Sequence, residues 1–287
     1  QMRMDKTEFH QGEIVPVHAT LYLPRAMQLR RLGLIEVEKS DLAIQRFPQQ
    51  ADQSLETLNG QRYVALAFRS SLSALKPGKM KVGPAKTELI VDVPVRGGGG
   101  FPFGFTPTDE RKVTVKAVSI PITVLPLPAE GRPPGFSGAV GDFTMTATAS
   151  VTEASVGDPV AVDVMIQGQG NFDAIEAPKL SEASGWKTYP PKRYSVDTGD
   201  PNTADLMNRK LGFNTILVPE KVMSEIPAFE FSFFSPRTKQ YVHLRSAAIP
   251  IQIKASANAS APAAAGSTST AGPQAPPSPD RKSTRLN

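Results

Sequence analysis

Apolar and polar residues alternate through Val15, Val17, Ala19, Leu21 and Leu23, and again through Val160, Val162, Val164 and Ile166. A period of two turns one face of each segment to a core and the other to water, which predicts half-buried β-strands. Each run follows a glycine and an acid, Gly12-Glu13 and Gly157-Asp158, so a turn opens each strand. Further strands are predicted at Tyr63–Leu72, Thr87–Val93, Val113–Val124, Lys210–Leu217, Ala228–Phe234 and Tyr241–Ile253. Pro121 and Pro250 fall inside the last run of each half. A proline there predicts an edge, a bulge or a switch between sheets. Arg25–Gly33 interrupts the alternation and predicts a short helical or irregular excursion, with Arg25, Arg30 and Arg31 on a solvated face.

The two alternating runs belong to a repeat. Thr-Glu-Phe-His-Gln-Gly-Glu-Ile-Val-Pro-Val-His-Ala (Thr7–Ala19) is echoed without a gap by Thr-Glu-Ala-Ser-Val-Gly-Asp-Pro-Val-Ala-Val-Asp-Val (Thr152–Val164). Pro77, Lys79 and Pro84 are echoed by Pro219, Lys221 and Pro227, and Ser119–Val124 by Ala248–Ile253. Copies of this size each close their own core, unlike the short stacked units of a solenoid. The expected fold is all-β: two tandem Ig-like antiparallel β-sandwich modules followed by a disordered tail. The expected boundaries are residues 1–127 for module 1, 128–141 for a Pro/Gly-rich connector, 142–254 for module 2 and 255–287 for the Ala/Ser/Pro tail. The connector's prolines are expected to restrict the angle between modules. The tail lacks the apolar surface needed to offset ordering entropy. Its closing string Asp280–Asn287 is expected to be non-native, because one reading frame of a common sequencing adapter encodes it.

Composition narrows the function classes. The 287 residues include 27 prolines, 22 glycines and no cysteine, which removes disulfides, thiol catalysis and cysteine metal sites but leaves the compartment open. The net charge of +5 overstates any basic surface, since Arg281, Lys282 and Arg285 lie in the tail and other charges are mixed in sign. Nucleic acid is therefore not a favoured partner. No run approaches the roughly 20 apolar residues of a membrane helix, and Gln1–Gly12 has no signal-peptide core. The chain is read as a soluble fragment of a larger protein.

Few residues suggest chemistry. His10, His18 and His243 have no accompanying nucleophile or metal-ligand pattern and are assigned to the surface. Asp197, Asp200 and Asp205 lack the spacing of a calcium loop. A hydrolase built on Asp163 or Asp173 lacks an identifiable second acid. The insertion around Arg96–Asp109 is the main feature the copies do not share. Its glycines precede no Lys-Ser/Thr and no helix, so it is not a phosphate loop. Phe101, Phe103 and Phe105 there form a candidate partner-contact loop. Trp186 and Tyr189 form a candidate aromatic platform for sugar or proline-rich peptide, with a core role for Trp186 as the simpler alternative. No catalytic, cofactor or metal residues are assigned.

The connector and second copy resemble the BatD family of Bacteroides-type aerotolerance, or oxygen-tolerance, proteins. The resemblance lies in Gly131–Phe143, Gly157–Val160, Gly170–Leu180, Trp186–Pro191 and Pro227–Tyr241. The first copy is looser, sharing mainly its Gly-Glu opening and Pro-Gly turn. This resemblance implies a non-enzymatic periplasmic or cell-envelope protein, anchored by a membrane segment outside this fragment. It also implies a scaffold or adaptor whose partners are von Willebrand A-type membrane proteins and a MoxR-type AAA+ ATPase. The alternative is a carbohydrate-binding or adhesin-like module.

Overall fold

The alternating runs fold as strands with their valines inward, and the rest of each copy is laid around them. The computed structural model describes residues 1–38, 41–94, 108–196 and 208–256. The first copy runs β1 (Met2–Met4), β2 (Glu8–His10), β3 (Val15–Pro24), β4 (Gln28–Leu32), β5 (Glu36–Val37) and β6 (Leu42–Ile44). It continues with β7 (Asp52–Leu58), β8 (Gln61–Ala74), β9 (Gly78–Val82), β10 (Ala85–Pro94), β11 (Thr108–Ala117) and β12 (Ile120–Leu125). One sheet has the order β1-β3-β8-β6, with β7 also on β8; a second has the order β11-β10-β4, with β5 also on β10. A small third sheet, β2-β12-β9, completes the copy. Val15, Val17, Phe68 and Leu72 share one buried cluster with Leu89, Val91, Ile122 and Val124, so these sheets enclose a single sandwich core.

The second copy repeats the plan. It runs β13 (Gly141–Ala149), β14 (Glu153–Ser155), β15 (Val160–Gly170), a 3-10 turn at Phe172–Ala174, β16 (Lys179–Leu180), β17 (Trp186–Thr188) and β18 (Lys192–Val196). Then follow β19 (Asn208–Pro219), β20 (Glu225–Ile226), β21 (Phe229–Ser235), β22 (Gln240–Arg245), β23 (Ile249–Pro250) and β24 (Gln252–Lys254). The order β13-β15-β19-β17 matches β1-β3-β8-β6, and β16-β21-β22 faces it. Its own core gathers Val160, Val162, Val164, Phe213, Leu217, Phe231 and Phe233.

The repetition extends to single hydrogen bonds. In the first copy Thr123 N–H donates to Thr7 O at 2.8 Å and Gln11 N–H to Leu125 O at 2.8 Å. In the second, Gln252 N–H donates to Thr152 O and Val156 N–H to Lys254 O, both at 2.9 Å. These bonds flank the two parallel pairs, β2 with β12 and β14 with β24. They also explain the strand prolines. Thr123 N–H faces β2, so Pro121, two residues earlier, directs its nitrogen to the same side, beyond the residues β2 reaches. Pro250 stands in the same relation to β14, so neither proline removes a ladder bond.

Three expected elements differ. Val113–Val124 is two strands, because the chain leaves the sheet of β10 after Ala117 and joins that of β9 at Ile120, leaving Val118 84% exposed between them. Tyr241–Ile253 divides for the same reason into β22, β23 and β24. Arg25–Gly33 contains no helix: Gln28–Leu32 is a strand paired with β10, with Leu29 and Leu32 against the core. Arg30 reaches Asp92, whose carboxylate is buried, at 2.7 Å. That hydrogen bond, with the charge of Asp92, raises the Arg30 pKa.

Candidate functional site

Residues Gln1–Ala255 form one compact unit, and the joint between the copies is built from the turn that opens β3. At its centre, Gly12 has φ +79 and its N–H donates to Ala74 O at 3.0 Å. Glu13 folds back so that its Oε2 accepts His10 N–H at 2.8 Å, and Lys6 pairs with its other oxygen. The second copy closes the same turn with Asp158 accepting Ser155 N–H at 2.9 Å.

The two turns differ in what they carry. Ser155 occupies the place of His10, and only His10 reaches across to the other copy. Its ring centroid lies 4.9 Å from that of Phe234, which is fully buried and meets Tyr241 on another side at 5.2 Å. Val140 is also fully buried; it bridges to Phe234 and packs against Gly12, where an added Cβ would come within 3.2 Å of it. Phe234 N–H donates to Ala139 O at 2.9 Å. Burial lowers the His10 pKa; Lys239 and Lys6 act in the same direction, while Glu13 opposes them.

The connector is held to the second copy by polar and aromatic contacts. Tyr241 Oη donates to Pro128 O at 2.6 Å and accepts from Arg132 Nε at 3.1 Å, while Phe136 meets the Tyr241 ring edge-on. Asp142 receives the buried Ser235 hydroxyl at 2.6 Å and Arg237 at 3.2 Å. The Gly131–Phe143 phrase thus reaches the joint through Ala139 and Val140. Most of its side chains bind the second copy, and Val140 touches Gly12 of the first.

The remaining expectations fall as follows. Phe101, Phe103 and Phe105 lie outside the described residues, as do Asp197, Asp200 and Asp205. Trp186 and Tyr189 are not a platform: Trp186 is 4% exposed within the second core, whereas Tyr189 is 44% exposed with Lys187 Nζ 5.4 Å from its ring centre. The strand β17 turns the indole inward to fill the sandwich, so the indole offers no face to a ligand. Asp163 is engaged by Asn214 at 2.9 Å and Tyr194 at 3.3 Å; burial, followed by Asp163, raises the Tyr194 pKa. Asp173 sits on the 3-10 turn.

His18 meets Asp5 at 3.1 Å and His243 meets Ser232 at 2.9 Å, both partly exposed, but His10 is 8% exposed and is not a surface residue. The sequence signal for it was the His/Ser difference inside an otherwise parallel turn. Among the described residues no group of three or more His, Cys, Asp or Glu is placed to hold a metal ion. No described helix is long and apolar enough to cross a membrane.

No family model matches the chain, and no curated protein does either. Among solved structures, the collagen adhesin CNA from S. aureus aligns over 88% of this chain and 92% of that one, with 8% identity and a TM-score of 0.22.

Proposed function

We propose that this chain is a non-enzymatic envelope scaffold or adaptor that presents two sandwich modules as a joined pair to protein partners. The observation that carries the reading is the joint itself. A flexible string of beads would not bury a histidine, a phenylalanine and a valine from three segments at the contact between copies. One of the segments that resemble the BatD family, Gly131–Phe143, supplies Ala139 and Val140 to this joint, and Phe234 comes from another, Pro227–Tyr241, which favours a role like that of the family. On this reading the partners are von Willebrand A-type membrane proteins working with a MoxR-type AAA+ ATPase, on the periplasmic side of the membrane.

The test is photo-crosslinking in isolated membranes, with the crosslinker placed in turn at exposed positions of β7, β11 and β22. Recovery of von Willebrand A-type proteins from one or more positions is the expected result. Recovery of glycan alone, or of the same background proteins from every position, overturns it.

A further inference from the structure

The joint between the copies is narrow and is made of turns. Among the described residues no strand of one copy pairs with a strand of the other. What crosses is the His10 ring against Phe234 and Val140 against Gly12. An open cleft lies on each side. One, of about 380 Å³, is lined by Ile44, Ser71 and Ser73 of the first copy and by Asn171, Asp173 and Arg209 of the second. The other, of about 440 Å³, is lined by Asp5, Lys6 and Pro16 of the first and by Asp142, Gln169 and Arg237 of the second. Ile14 and Gly170 border both clefts, so the contact is a ridge between two grooves. Gly12 and Gly138, at φ +79 and +99, can absorb a change of backbone angle at this ridge.

The charges around His10 divide unequally between the copies. Glu13 and Lys6 belong to the first. Glu13 Oε2 accepts the His10 backbone N–H and lies 3.8 Å from Nδ1, too far for a hydrogen bond, while Lys6 pairs with its other oxygen. Lys239 belongs to the second copy, in the turn between β21 and β22. Leu125 of β12, beside His10, and Ala139, Val140 and Phe234 across the joint bring no charge. Swinging the copies apart hydrates the ring and takes Lys239 away, whereas Glu13 and Lys6 travel with His10. Burial is the largest influence on the ring and Lys239 acts in the same direction, so opening relieves two influences that both oppose the proton. Attraction of a cation to the Phe234 ring is small beside the cost of taking an imidazolium out of water. The open joint therefore binds the proton more tightly than the closed one, and that difference shifts the equilibrium between them.

We propose that His10 makes the joint an acid-operated hinge: protonation of its ring swings the two copies apart while each sandwich stays folded. Closure lowers the His10 pKa, so the closed joint is fully favoured above the hydrated histidine value near 6.5, and opening grows as the pH falls from there through the closed-state pKa. The open-to-closed ratio rises roughly ten-fold for each unit that separates the two pKa values. The hinge goes beyond the scaffold reading, which would survive its failure with the copies held at one angle.

The chain has no cysteine, so Ser54→Cys on β7 and Thr148→Cys on β13, both exposed, place a donor and an acceptor dye at unique positions, one on each copy. Transfer efficiency of the full chain is read by single-molecule fluorescence from about pH 7.5 down to about pH 5, the range in which histidine titrates. A second population of different efficiency should grow below about pH 6.5 while Trp186 fluorescence and far-UV circular dichroism stay constant. His10→Gln should abolish that growth. His18→Gln and His243→Gln should leave it unchanged, because the Asp5, Ser232 and Glu230 that face them lie in their own copies. Lys239→Glu, which sets an opposite charge where a like one faces His10, should weaken it. Populations that ignore pH, that grow equally in His10→Gln or Lys239→Glu, or that grow only as Trp186 fluorescence or circular dichroism is lost overturn the proposal.

Discussion

Replacing Phe234 with alanine tests whether the joint couples the copies energetically. The side chain is fully buried, and its removal opens a cavity against His10, Tyr241 and Val140. Phe-to-Ala changes in cores cost about 3–5 kcal/mol, and the second copy should lose that amount. The first copy loses only the contact with the His10 ring, an aromatic pair worth about 1 kcal/mol. That is roughly a five-fold change in a local opening equilibrium. Phe231→Ala is the control: Phe231 belongs to the second core, stacks on Phe233 and meets Phe143 edge-on. The single tryptophan, Trp186, reports unfolding of the second copy by fluorescence, and hydrogen exchange along β3 and β8 reports the first. Both variants should lower the denaturant midpoint seen by Trp186, but only Phe234→Ala should speed exchange in β3 and β8. Equal exchange in the two variants would refute the coupling.

Other positions give independent checks. Glu13→Ala removes a buried acceptor and should cost about 1.5–3 kcal/mol, more than Asp158→Ala at the matching but more exposed turn, as thermal melts will show. Gly168→Ala places a Cβ 2.1 Å from the Asp142 carbonyl oxygen at φ +149 and should cost roughly 3 kcal/mol or more. Gly60→Ala, with φ +78 and open space around it, should cost only about 1 kcal/mol. Because burial lowers the His10 pKa, the unfolded chain takes up the proton first. Stability should be full above the unfolded histidine value near 6.5 and fall as the pH drops towards the folded pKa. His10→Gln should flatten that part of the pH profile measured by urea denaturation.

Much of the architecture was legible because it depends on local pattern. The inward valines of β3 and β15, and the acids that close the turns before them, follow from period and turn chemistry within a few residues. The failures have a common cause. The apolar pattern of Val113–Val124 continues past Ala117, but no local signal marks where the chain changes sheets, since that depends on which edges β9 and β2 present. Gln28–Leu32 became a strand because β10 offers it a ladder, despite its charged residues. His10 looked like a surface residue because Phe234, which buries it, is remote in the chain. Trp186 could be read either way from sequence, and the inward face of β17 decided it.

The parallel pairs described for each copy have a mechanical consequence. In each, a strand near the start of the copy lies beside one at its end, β2 with β12 and β14 with β24. Tension drawn through the entry and exit of a copy pulls these neighbours along their length in opposite directions. The bonds Thr123–Thr7 and Gln11–Leu125, and their counterparts in the second copy, then bear the force together in shear rather than opening one by one. Each copy is thus a clasp set in line with the chain, suited to holding its shape when one end is tethered and the other is pulled.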